Sequence, residues 1–131
     1  MDDQAFHKWL TKYGEVWESR YPEGVADLYS EDVLYYWTPF EEPKRGRQEI
    51  VAASREATSR QENIHFRYEV IAVEENKGWA RWWCSFRRVP EGHPVRIDGI
   101  LQATFDEHGL CTEFREWWHG EEPSSESSSE A

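Results

Sequence analysis

The chain has 131 residues, enough for one domain, and its 26 acidic and 15 basic side chains give a net charge of −11. So acidic a surface excludes sequence-independent binding to nucleic acid or to an anionic membrane, because both require a basic face. Mean hydropathy is low, −0.90. Eight Trp, six Tyr and six Phe nevertheless argue for a folded interior, each ring burying about 150–250 Å². No apolar run approaches the roughly 20 residues of a membrane helix, and Met1-Asp2-Asp3 does not open a secretory signal. The expected compartment is the cytoplasm. Cys84 and Cys111 lack metal-ligand spacing and are too few for a disulfide framework.

In chain order, Phe6, Trp9, Leu10, Tyr13, Val16 and Trp17 recur at the spacing of one helical face. Asp2 and Asp3 stand where carboxylates cap the free N–H groups of a helix start. Pro22 predicts a second, shorter helix with Val25, Leu28 and Tyr29 inward. Tyr35-Tyr36-Trp37 reads as a short strand, residues 42–46 as a turn, and Gln48 to about Arg60 as a third helix. From Ile64 the hydrophobic period changes from 3.6 to 2. Four strands follow, separated by turns at Asn76-Lys77-Gly78, at 90–94 and at 106–109. Helices followed by an antiparallel meander predict the α+β class. Residues 1–120 form the expected domain, and 121–131, with no large apolar side chain, read as a disordered acidic Ser/Glu tail.

Asp27-Leu28-Tyr29-Ser30-Glu31-Asp32-Val33, Trp37-Thr38-Pro39 and Gly46 before the third helix form one set of motifs. The closing stretches Phe105-Asp106-Glu107-His108-Gly109-Leu110 and Phe114-Arg115-Glu116-Trp117-Trp118-His119 form another. In this order they resemble SnoaL-like domains of the nuclear transport factor two-like superfamily, over roughly residues 5–119. The resemblance implies a cone in which three N-terminal helices close a curved antiparallel sheet around a pocket. That superfamily hosts ketosteroid isomerase, limonene epoxide hydrolase, polyketide cyclases and non-catalytic modules, so the fold leaves the function open.

Measured against those enzymes, the working groups are largely missing. The resemblance puts Glu116 at the pocket carboxylate of the epoxide hydrolase, Arg81 at its pocket arginine and Tyr35 at its water-positioning tyrosine. Trp83 then stands where that enzyme has a second acid, and Trp37 where it has an amide. The catalytic base of ketosteroid isomerase would fall near Thr38 and its acidic oxyanion donor at Leu101. Strand parity puts Thr112, Phe114, Glu116 and Trp118 on one face and Cys111, Glu113, Arg115 and Trp117 on the other. Arg81 is expected to pair with Glu116, and a carboxylate held by a guanidinium is a poor general base.

The leading expectation is a pocket for a small, largely apolar molecule, walled by Trp37, Trp83, Leu101, Phe114 and Trp118 and oriented by Tyr35, Arg81 and Glu116. Two alternatives stay open: a lyase- or isomerase-type relative of polyketide cyclases, with Glu116 as base and Tyr35 as proton donor, and a scaffold whose rings fill the cone. No cofactor or metal is implied, since no histidine pair has ligand spacing. Trp82, Phe86 and Trp117 are expected on the convex sheet face, where they would join two copies into a homodimer. Cys84 and Cys111, on that same parity with a strand between them, are expected to be free thiols.

Overall fold

The computed structural model describes residues 1–123. Helix α1, Asp3–Glu18, begins where Asp2 Oδ1 accepts the Ala5 N–H at 2.8 Å, and it buries Phe6, Trp9 and Leu10. Pro22–Asp27 makes only a 3-10 turn, shorter than the helix the proline signal suggested. Strand β1, Tyr29–Tyr36, starts six residues earlier than expected. Glu31 and Asp32 lie in it next to a register shift, and this broke the alternation by which a strand is recognised. The two-residue strand β2, Lys44–Arg45, leads through Gly46 at φ +86° into α2, Arg47–Thr58.

Strands β3 (Gln61–Glu74), β4 (Lys77–Arg88), β5 (Pro94–Phe105) and β6 (Cys111–Glu121) form the expected antiparallel meander. The sheet order is β2-β1-β6-β5-β4-β3, and β1 runs parallel to β6, the one parallel pairing among the described residues. Irregularities in β3, β1 and the β5–β6 pairing bend the sheet, which curves without closing. Helix α1 lies across the concave face. Its Phe6 packs so close to β4 that a Cβ on Gly78 would come within 2.6 Å of the ring.

On β4 the parity is opposite to expectation. Gly78, Ala80, Trp82, Cys84 and Phe86 are buried on the concave face, whereas Arg81, Ser85 and Arg87 point outward. Trp82 packs its ring on Trp17 of α1 at 5.8 Å, so neither it nor Phe86 is available to a partner on the convex face. Trp117 does lie on that face, 47 % exposed. Cys84 and Cys111 are free thiols, as expected, but both are buried. The register shift between Thr104 and Phe105 sets Cys111 opposite buried Phe105 and so reverses its predicted side. Glu121 belongs to β6, and Glu122 pairs with Arg88 at 3.0 Å, so ordered structure continues past 120. Residues 124–131 of the expected tail lie outside the described residues.

Candidate functional site

The concave face is filled with aromatic rings. Phe114 of β6 lies at its centre, with the rings of Trp9, Tyr13, Tyr29 and Tyr35 at 5.3–6.0 Å. One row along β6, Glu116 faces the same interior opposite Leu101, which in turn lies opposite Ala80. Leu101 and Phe114 are fully buried on the predicted face, and Glu116 is 6 % exposed. Because β1 runs parallel to β6 with Tyr35 beside Phe114, the Tyr35 hydroxyl reaches Glu116 and donates a hydrogen bond to Oε2.

Arg81 brings no positive charge to this carboxylate. Its guanidinium is on the outer face, where it donates to Asp98 at 2.7 and 3.2 Å and stacks 4.4 Å from the Trp83 ring centre. Arg67 lies 5.2 Å from the centre of that same ring, so Trp83 walls an exterior cluster rather than the pocket. Arg81 and Trp83 therefore leave the predicted site, for one shared reason: both sit on the β4 parity that faces solvent. The strand itself carried the signal. Alternate positions from Gly78 to Phe86 hold only uncharged residues, while Arg81, Ser85 and Arg87 occupy the other set.

Losing the arginine reverses the electrostatics. Burial pushes the Glu116 carboxyl up to about 7, and the Tyr35 hydrogen bond, which favours the charged form, offsets only part of that rise. Burial also raises the Tyr35 and Tyr13 phenols well above their ordinary range, with nearby Glu116 adding to the rise, so both keep their protons. The site thus holds an acid that changes charge near neutrality beside two permanent hydroxyl groups. A carboxyl in that state can take up and return a proton.

Trp118 closes one side of this region. It is 39 % exposed, and its Nε1–H donates to the Trp37 carbonyl at 3.0 Å. Clefts on the described surface include one of about 500 Å³ at Glu31 and residues 45–49 and one of about 230 Å³ between α1 and Gly109. Neither is lined by Glu116 or Tyr35. Among the described residues no three His, Cys, Asp or Glu side chains group as metal ligands, and no helix is long and apolar enough to cross a membrane.

A protein-family model described as the SnoaL-like domain matches residues 10–114. The chain belongs to the SnoaL-like domain family. Among solved structures it is similar to TsrD from Streptomyces laurentii, with a TM-score of 0.75 and 19 % sequence identity over 92 % of this chain and 91 % of that one. A comparison with curated protein sequences gives no match. At that identity the structural likeness establishes the cone and carries no function with it.

Proposed function

We propose that this SnoaL-like protein takes a small, largely apolar carbonyl compound into its ring-lined interior and moves a proton on it, with Glu116 as the acid–base group. One observation supports this above the others: a buried carboxyl at about 7, hydrogen-bonded by Tyr35 and free of its expected arginine. In the proposed reaction the Glu116 carboxylate takes a proton from carbon next to the carbonyl, the C–H electron pair forms a carbon–carbon double bond, and the carbonyl π pair moves onto its oxygen to give an enolate. Return of that proton to carbon restores the acid–base group, and delivery to a different carbon isomerises the compound. Tyr35 orients the carboxylate. Family membership fits this chemistry, which belongs with isomerases and cyclases. Because the rings now meet one another, entry requires one to move. Trp118 is the wall residue most open to water.

The test is exchange of carbon-bound protons. With 2-tetralone in D₂O at pD 7.5, the wild type should accelerate deuterium uptake next to the carbonyl above the buffer rate. Glu116→Gln should remove the acceleration, and Tyr35→Phe should reduce it about tenfold. Equal rates with and without wild-type protein, across a panel of apolar ketones, would overturn the proposal. The competing reading, a scaffold with a permanently filled cone, draws on the close ring contacts around Phe114 and expects that equality.

We also propose that two copies pair through the convex face. Trp117 is exposed there, beside half-buried Ile100 on the neighbouring strand. Light scattering should give about twice the 15.6 kDa chain mass, and Trp117→Glu should return it to one. A wild-type monomer at micromolar concentration would contradict this pairing.

A further inference from the structure

Three indole donors in this fold are paired. Trp9 Nε1 donates to the Leu28 carbonyl at 3.0 Å, Trp17 Nε1 to Gln61 Oε1 at 2.9 Å, and Trp118 Nε1 to the Trp37 carbonyl. Two are not. Trp37 Nε1 and Trp82 Nε1 are both shut off from solvent and have no hydrogen-bond partner among the described residues. Burial strips a donor of its water, and without a new acceptor that loss goes uncompensated. Unpaired buried N–H groups are therefore rare, and two in one interior call for an explanation.

Their positions supply it. Trp82 lies opposite Gly99, and Gly99 lies opposite Trp118, forming a row on the concave face next to the row of Ala80, Leu101 and Glu116. Gly99 contributes no side chain to its row. A Cβ there would sit 2.5 Å from the Trp117 carbonyl oxygen and 2.8 Å from Trp118 Cβ, so β6 packs directly against the Gly99 backbone. Trp37 follows β1 directly after Tyr36, which lies opposite Arg115, and its carbonyl accepts from Trp118. The unpaired donors thus flank the Glu116 row from β4 on one side and from the end of β1 on the other.

We infer that the indole N–H groups of Trp37 and Trp82 are the donors that receive the ligand's oxygen, making the site selective for neutral carbonyl compounds over hydrocarbons of the same shape. The chain's charge of −11 disfavours an anionic ligand, with Lys44 Nζ, 5.7 Å from the Trp37 ring centre, as the cation beside that indole. A pure hydrocarbon would leave both donors as unpaired as they are without it. The inference rests on the small-molecule reading above and names what that molecule must carry.

The experiment compares 2-tetralone with tetralin, which has the same ring skeleton without the oxygen, using full-length protein labelled with ¹⁵N in its indoles. Tetralone should bind about tenfold tighter and shift the Trp37 and Trp82 Nε1–H resonances downfield more than the other six. In the Trp37→Phe/Trp82→Phe double variant, tetralone should fall to the affinity of tetralin, whose own binding stays as in the wild type. If tetralone binds the wild type without moving those two resonances, the inference is overturned while the small-molecule reading stands. It is overturned in the same way if the wild type binds both compounds equally, or if the preference survives in the double variant. If neither compound binds and no ketone of the panel does, both readings fail. The wild-type resonances decide the matter even if the double variant does not fold.

Discussion

Replacing Phe114 by alanine should lower the unfolding free energy by about 3–5 kcal/mol, the usual cost of removing a fully buried aromatic ring. Phe114 is 0 % exposed and meets four other rings, two from α1 and two from β1. The cavity left behind would open between elements that are joined mainly by those rings, so the surroundings cannot collapse into it cheaply. Urea unfolding measures the loss directly, as a lower midpoint with unchanged slope. Arg81→Ala is the matching control. Its ion pair with Asp98 is solvent-exposed, and such pairs contribute little to stability. A Phe114→Ala loss no larger than the Arg81→Ala loss would mean that the rings do not hold the helix to the sheet.

The second large effect depends on pH. The folded Glu116 carboxyl titrates at about 7 against 4.5 for its ordinary value. Above pH 4.5 the unfolded chain releases this proton while the folded chain still holds it. Stability therefore falls as pH rises from 4.5 to about 7, and is constant beyond that. The total is about 3 kcal/mol at 1.36 kcal/mol per unit. Glu116→Gln carries no such titration, so its stability relative to the wild type should rise by about 3 kcal/mol between pH 4.5 and 7.5. Taking the difference between the two proteins cancels every other group. A difference that stays flat across this range would show that the carboxyl is not held out of water. Glu122 works in the opposite sense and in a different window. The Arg88 hydrogen bond holds it down to about 2, so its contribution is full above 4.5 and is lost only as pH falls toward 2.

The family, the α+β order, the meander and both long helices are legible in the sequence because their periodicities are clean. The orientation of β4 is not. Its aromatic residues fall on both faces, Trp79 and Trp83 on one and Trp82 and Phe86 on the other, so ring placement alone does not choose the inside. Matching Arg81 to a family arginine turns the strand the wrong way round. What decides the orientation is α1, which needs the small residues Gly78 and Ala80 beneath Phe6 and covers Trp82 with Trp17. That contact spans more than sixty residues of sequence and leaves no local signature. Tyr35, Glu116, Leu101 and Phe114 fall where the sequence puts them because β6 alternates cleanly around Phe114 and Glu116.

The parallel pairing of β1 with β6 has a consequence for how the chain is made. Tyr35 and Glu116 stand 81 residues apart, and the strand that carries one has no neighbour but short β2 until the strand that carries the other exists. At about 5–20 residues per second, a ribosome needs about 4–16 s to pass from the first to the second. Through that interval α1 and β1 hold Trp9, Tyr13, Tyr29 and Tyr35 ready for a ring that has not been synthesised. A chain emerging in this order therefore makes its most aromatic surface first and covers it last.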